Sequence, residues 1–372
     1  MSSDLIAHLS VIKDPRADKN KVYPLEEILL LCICAVVSGA DGWSTIADFG
    51  REKLDWLRRF LPYEHGIPSE DCLGWVMARL PARAFQEAFI VWTQAVAQIQ
   101  DGDVVAIDGK RLRRSYDRRN GRAALHVVSA WANAQQLILG QVTTTEKSNE
   151  ITAIPELLRL LEIRGAIVTL DAMGCQTTIA QQIVSQGADD LLAVKDNQPT
   201  LHEAVRDYFR TAQAGGFAGV PMTYHEEVDA GHGRCEVRRC WLVEDLRTLP
   251  NPQQWTGLQG IVWVQAERHI GDQVSREDRY YLTTLTGSAQ IVGRAVRSHW
   301  GIENQLHWVL DVTFREDESR IRRNHAPANF NTLRQFALNL LKRHPERRSL
   351  KRKRLSAATS DEFRANLVFR QA

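Results

Sequence analysis

Between Tyr23 and about Gln100 the apolar residues recur at helical spacing, in LEEILLLCICAVVSGA, WSTIADFGREKLDWLRRFL and PARAFQEAFIVWTQAVAQI, with Gly, Pro and Ser breaks between them. The pattern predicts a small all-helical domain over residues 1–100. At Asp101 the period changes. VVAID at 104–108, LHVVSAWAN at 125–133 and LILGQVTTT at 137–145 are β-branched or alternating runs split by turn residues, which predicts three strands in succession. NEITAIPELLRLLEI then has helical spacing, AIVTLDAMG reads as a strand, TTIAQQIVSQG as a helix, DLLAVK as a strand and PTLHEAVRDYFRTAQ as a helix. The order βββαβαβα predicts an α/β fold built on a mixed sheet whose later strands are joined by crossover helices. About residues 216–286 the text is β-rich again, as in RCEVRRCWLVED, GIVWVQAERHI and REDRYYLTTL, and reads as an insertion; helical spacing returns from Ala289 and over 331–342.

Composition adds three points. With 372 residues and 44% hydrophobic content, the chain can bury a sizeable core in one large domain with a smaller companion. Its formal charge of +2 hides two basic runs: KRLRRSYDRRNGR at 110–122 holds seven Lys or Arg against one acid, and KRHPERRSLKRKR at 342–354 holds eight against one. Such runs suit a polyanion, although one basic run alone is commonly a solvated face. The six cysteines form no C-x-x-C pair and no zinc spacing, so they read as reduced core thiols. ILLLCICAVVSGA at 28–40 is too short to cross a bilayer and the first residues lack a signal pattern, which together predict a cytoplasmic protein with no membrane role.

Two carboxylates stand out. Asp108 follows four apolar residues of one strand and Asp171 ends another, and burying a carboxylate among aliphatic residues is costly unless it is paired or bound to a cation. Each could instead cap the following turn. If the first and fourth strands lie side by side and parallel, the two acids converge, and a hard cation such as Mg²⁺ would accept their oxygens. A third acid is then expected from a helix. In SHWGIENQLHWVLDV at 298–312, Ile302, Leu306, Val309 and Leu310 form an apolar stripe, with His299, Glu303, His307 and Asp311 beside it at i, i+4 steps. Glu303 borders the core; hydrogen bonding along an exposed face is the alternative. A zinc site on His299, Glu303 and His307 would strain one helix and leave both strand acids unexplained. No G-x-S-x-G elbow, P-loop or G-x-G-x-x-G turn is present. Lys195, ending the fifth strand in VKDNQP, is a candidate phosphate contact, and so are Lys110, Arg111, Arg113 and Arg114 just after the first. In GHGR, His232, Gly233 and Arg234 predict a hairpin turn with Arg234 placed to meet a polyanion, whereas Trp241, Trp255, Trp263, Trp300 and Trp308 are expected in the core.

ID108GK, LD171AMG and HWGIE303NQLHW together closely resemble the DDE insertion-sequence transposases, and among them the H-repeat-associated branch found beside Rhs elements. The likeness covers nearly the whole chain and includes KDPRADKNKVYPLEEILLLCICAVVSGADGW, EKSNEITAIPELL, VKDNQP, GHGRCEVRR and HWGIENQLHWVLDVTFREDESRIR. It implies a ribonuclease-H-like DDE catalytic domain over 101–345, interrupted by the β-rich insertion before its last catalytic helix, preceded by the helical domain and followed by a basic tail over 346–372. It further implies Asp108, Asp171 and Glu303 as the metal-binding catalytic triad, with two Mg²⁺ or Mn²⁺ ions. Implied partners are the element's terminal inverted repeats and target DNA, with the chain acting as a homodimer. The wider family's Y-x2-R-x3-E-x6-K pattern falls here on Val296, His299, Glu303 and Leu310, so the acid matches and its satellites do not. Arg297, with Arg294, Arg320, Arg322 and Arg323, is a candidate replacement phosphate contact, while His299, Asn304, His307 and Asp311 are expected around the acids. Asp311 also competes with Glu303 as third acid. The implied function is cutting and joining of DNA; a DNA-binding relic without catalysis and a nuclease without strand transfer are the alternatives.

Overall fold

A computed structural model of the chain describes residues 5–144, 150–231 and 233–369. Residues 5–96 hold helices only: α1 (Leu5–Ser10), α2 (Leu25–Val37), α3 (Trp43–Glu52), α4 (Leu54–Leu57), α5 (Glu70–Arg79) and α6 (Ala82–Val96). Every residue of α2 except Glu26 is buried, as an all-round apolar helix requires. Its cover comes partly from the far end of the chain. α12 (Ala326–Arg343) packs along α2, and α6 lies against β3 (Leu137–Thr144), so one continuous core runs from Leu5 to Val368.

The sheet has nine strands. β1 (Val104–Arg111), β2 (His126–Ala132) and β3 form an antiparallel meander, and β4 (Ile167–Leu170) pairs parallel with β1 on its other side. α7 (Glu150–Leu160) precedes β4, and α8 (Thr177–Ser185) crosses from it to β5 (Asp189–Val194), which pairs parallel with β4 and is followed by α9 (Pro199–Ala214). The mixed α/β class expected from the sequence is therefore observed.

The β-rich residues after α9 belong to the same sheet. They form β6 (Met222–Gly231), β7 (Arg234–Val243), β8 (Gly260–Ile270) and β9 (Gln273–Thr283), and the strand order is β3-β2-β1-β4-β5-β9-β8-β7-β6. Only the last four residues of β9 pair with β5, so the other half of β9 carries its neighbours outward as a four-stranded antiparallel ribbon. Trp241 and Trp263 stack at 4.1 Å at its base, and Phe209 of α9 meets Trp263 at 5.8 Å. Gly271, at φ +55°, sits in the two-residue β8–β9 turn that such a backbone favours.

The opposite sheet edge is sealed. The Asn339 side chain on α12 accepts from the Ile138 N–H at 2.9 Å and donates to the Ile138 carbonyl at 2.8 Å, imitating a neighbouring strand. Beside it Gln141 of β3 donates to Thr332 and accepts from Asn331, both at 2.9 Å.

The C-terminal residues, expected to form a basic tail, instead form α13 (Leu350–Thr359) and α14 (Asp361–Phe369). The buried Lys353 ammonium donates to the carbonyls of Leu341 and His344, so part of the basic run serves packing, and Arg364 beyond that run is fully buried too. Among the described residues no helix is long and apolar enough to cross a membrane. All six cysteines are free thiols, and four are buried.

Candidate active site

β1 and β4 run parallel with Ile107 opposite Leu170, so Asp108 and Asp171 follow side by side at the carboxyl ends of two neighbouring central strands. Adjacent strands are about 4.8 Å apart. Asp171 turns its Oδ1 back to the Met173 and Gly174 amides at 3.0 and 3.3 Å, so this carboxylate does cap its turn while standing beside Asp108. Asp108 is largely buried, and its carboxyl is pushed up to about 7, first by burial and then by the negative charge of Asp171, with smaller contributions from Glu303 and Glu150.

Glu303 arrives on the segment that follows α10 (Ala289–Gly301). Residues Ile302–His307 form a π turn, after which α11 (Trp308–Val312) resumes the α-helix. The apolar stripe is as the sequence suggested: Ile302, Leu306, Val309 and Leu310 are all buried. The polar stripe differs. Its i+5 bonding breaks the i, i+4 progression, leaving Glu303 exposed while His299 and His307 turn inward. His299 Nδ1 meets the Thr169 hydroxyl of β4 at 2.9 Å, and His307 Nδ1 lies 3.5 Å from Asp108. Burial lowers both imidazoles, His307 to about 3, where Lys110 adds to the effect; the His307–Asp108 contact is therefore that of a neutral ring rather than an ion pair. Gly301 permits the close approach of this helix: a Cβ there would stand 2.1 Å from Asn133 Oδ1, and Asn133 donates to the Ser298 carbonyl.

Lys110, expected as a DNA contact, is committed elsewhere. It points along the same face of β1 as Asp108, is largely buried, and is held by Asp311 at 2.5 Å and Glu316 at 2.6 Å. That pairing also gives Asp311 a role of its own, as a brace between the helix and β1, whereas Asp171, Glu303 and Glu150 are charges that raise Asp108. Arg111, Arg113, Arg114 and Lys195 are exposed, with Arg113 paired to Asp317 at 3.2 Å.

Glu150, at the start of α7, went unassigned in the sequence. It is buried against β1, where a Cβ on Gly109 would lie 2.5 Å from its Oε1, and it lies 3.5 Å from His126. The signal was the Gly after Asp108, a small residue in a strand next to an acid-bearing motif. Residues 145–149, which include the first four of EKSNEITAIPELL, and His232 of GHGR lie outside the described residues. Gly233 has φ +76° and Arg234 opens β7, as the turn expectation required.

Between the ribbon and the face of α10 runs a groove of about 1130 Å³. Arg234, Arg238, Arg276, Arg279, Arg297 and Asn304 are among its lining residues. Each of these arginines is ion-paired: Arg297 with Asp229 at 3.0 Å, Arg276 with Glu267 at 2.8 Å, Arg279 with Glu277 at 2.7 Å, and Arg234 and Arg238 with Glu236. Trp300 also lines it, 42% exposed, with the Arg279 guanidinium 4.5 Å from its ring centre. Trp241, Trp255 and Trp263 are core residues as expected, but Trp300 and Trp308 are not: on the helix they fall opposite the buried stripe.

The donor set suits a divalent cation in its chemistry. Asp108, Asp171 and Glu303 could offer carboxylate oxygens, the neighbouring ammonium of Lys110 is already engaged by Asp311 and Glu316, and the Asp108 carboxyl is raised first by burial and then by the nearby carboxylates. Among the described residues no three His, Cys, Asp or Glu side chains enclose an ion site by themselves. Mg²⁺ usually completes its shell with waters and substrate phosphates around one or two carboxylates.

Comparison with known proteins agrees with this architecture. The family model described as "Transposase DDE domain" matches residues 99–340, and the model "DDE_Tnp_1-associated" matches residues 6–93. The chain is 39% identical over 372 aligned residues to "H repeat-associated putative transposase YhhI" of Escherichia coli strain K12, covering 98% of this chain and 97% of the relative. It is 40% identical over 349 residues to "Putative transposase YncI" of Escherichia coli O157:H7, covering 91% and 87%. "H repeat-associated putative transposase YbfD" of strain K12 is 46% identical over 234 residues, which is 63% of this chain and 91% of that one. The chain belongs to the DDE-domain transposase family, within the group that includes the H repeat-associated proteins.

Proposed function

We propose that this protein cuts and joins DNA strands at the ends of an insertion-sequence-like element, with Asp108, Asp171 and Glu303 as its catalytic acids. The observation that carries the proposal is the pairing of Asp108 with Asp171 at adjacent parallel strand ends, with the Asp108 carboxyl raised to about 7 by burial and by the charges of Asp171 and Glu303. The antiparallel β1–β3 meander flanked by parallel β4 and β5 supports a ribonuclease-H-like core. Asp108, Asp171 and Glu303 would hold two divalent ions, Mg²⁺ or Mn²⁺, and the chemistry such ions would supply is activation of a water or a 3′-hydroxyl and stabilisation of the leaving oxygen.

The protein's own groups orient this site. Neutral His307 beside Asp108 limits the rotation of that carboxylate, and His299 on Thr169 ties the Glu303 segment to β4. Lys110, through Asp311 and Glu316, fixes the same segment to β1. The groove beside Glu303 accepts the DNA, with Arg234 and Arg297 toward phosphates, Asn304 toward the strand near the acids, and Trp300 offering a face for an unpaired base. Lys195 adds a phosphate contact at the end of β5 beside β4. The protein acts in the cytoplasm, as a homodimer that pairs two element ends.

The test is a strand-transfer assay with Mg²⁺ and the element's terminal inverted repeats. Joined product is expected, and it should vanish in Asp108→Asn, Asp171→Asn and Glu303→Gln proteins that retain their fold. Cleavage without joining would identify a nuclease, and binding alone a relic; either overturns the proposal.

A further inference from the structure

The 112–125 connection between β1 and β2 is an ordered structure carrying Arg113, Arg114, Arg118 and Arg122. Buried Ser115 donates to the Leu112 carbonyl at 2.7 Å and accepts from the Leu125 amide at 2.8 Å, while Asp117 and Arg122 exchange backbone hydrogen bonds at 2.9 Å. A second basic segment meets it. Arg322 donates through Nε to the Arg114 carbonyl at 3.0 Å and lays its guanidinium 4.5 Å from the centre of the Tyr116 ring; the Arg118 guanidinium lies 5.2 Å from the same ring. Arg111, Arg113, Tyr116 and Arg118 line a cleft of about 590 Å³ there.

Arg113 is paired with Asp317, but among the described residues Arg111 and Arg118 of the cleft, and Arg322 beside it, form no ion pair. Arg322 is also preorganised. With its Nε committed and its guanidinium held over the Tyr116 ring, its terminal amino groups form a fork, the geometry that receives two oxygens of a phosphate with little further loss of freedom.

We propose that Tyr116, Arg118 and Arg322 form a phosphodiester clamp that grips the backbone of duplex DNA. The clamp rests on the DNA-strand chemistry proposed above. Arg118 and Arg322 touch the phosphate, and Tyr116 is a positioning residue that fixes the Arg322 plane.

The test is fluorescence anisotropy of a labelled 30-base-pair duplex of arbitrary sequence with the full chain in EDTA, repeated from about 50 to 200 mM salt. Arg322→Ala and Arg118→Ala should each weaken binding several-fold and reduce the slope of log affinity against log salt by about 0.9, one phosphate contact each. Arg322→Lys, which keeps the charge but not the fork, and Tyr116→Leu, which removes no charge, should also weaken binding several-fold. Because Tyr116 is partly buried, the melting temperature of that variant is measured alongside, and Arg322→Lys carries the test if it unfolds. Wild-type binding by Arg322→Lys would overturn the clamp in favour of unspecific charge, as would an unchanged salt slope in both alanine variants. Clamp-dependent binding by a protein that never cuts DNA would sustain the clamp and sink only the strand chemistry.

Discussion

Replacing Asp108 by Asn probes the electrostatics of the acid cluster without any DNA. The Asp108 carboxyl has an ordinary value of 3.8 and is raised to about 7 in the fold. Between those values the folded protein keeps a proton that the unfolded chain has released, so stability falls as pH rises, and the contribution is fully present below the unfolded value and gone above the folded one. Three pH units at about 1.4 kcal/mol each set a ceiling of about 4 kcal/mol. Asparagine has the same shape and no charge to bury, so Asp108→Asn should gain up to that amount over wild type between pH 4 and pH 8. With about 2.1 cal/mol/K of unfolding entropy per residue over 372 residues, the melting temperature at pH 8 should rise by about 5 °C. Calorimetric melts of both proteins in EDTA at pH 5, 6, 7 and 8 measure the difference directly. A difference that did not grow with pH would refute the reasoning, because it would mean that burial and the neighbouring carboxylates leave Asp108 unshifted. Adding Mg²⁺ at pH 8 should raise the melting temperature of wild type more than that of the variant.

Lys110→Met leaves Asp311 and the buried Glu316 without their counter-charge and should cost about 3–5 kcal/mol in denaturant unfolding, with part recovered by adding Glu316→Gln. Asn339→Leu strips two partners from the Ile138 backbone, each worth about 1–3 kcal/mol when left unpaired; faster hydrogen exchange at the Ile138 amide, with α12 still helical, checks it. Trp300→Ala should weaken single-stranded DNA binding by about 1–3 kcal/mol in anisotropy titrations, while Trp263→Ala should lower stability through the aromatic base of the ribbon.

The elements around the acids were legible because their patterns are local. β1, β4 and β5 are short apolar runs, and the adjacency of Asp108 and Asp171 follows from the handedness and order of crossover connections once the strands are recognised. The π turn was not legible, since an apolar stripe at 302, 306, 309 and 310 fits an uninterrupted α-helix just as well, and only the bonding pattern distinguishes them. Lys110 was misjudged for a related reason: its partners Asp311 and Glu316 lie about two hundred residues away, and a basic run gives no hint of which cation is buried. The same limit applies to Lys353 and Arg364 in the C-terminal helices. Continuity of β9 with β5 was also hidden, because strand pairing across the eighty residues between them is a tertiary choice.

The π turn at Ile302–His307 has a consequence for how related chains are compared. A π turn carries one residue more than the α-helical frame around it, which is the mark that a single-residue insertion leaves in a helix. A relative one residue shorter between Gly301 and Trp308 would close that bulge into regular α-helix and leave the helix on either side in its place, whereas the same deletion outside the bulge would rotate everything downstream by about 100°, the angular step of an α-helix. In the second case the Glu303 and Asp311 positions would no longer match in space even if both letters aligned. Gap placement in that window therefore separates chains that share this protein's geometry from chains that share only its acids.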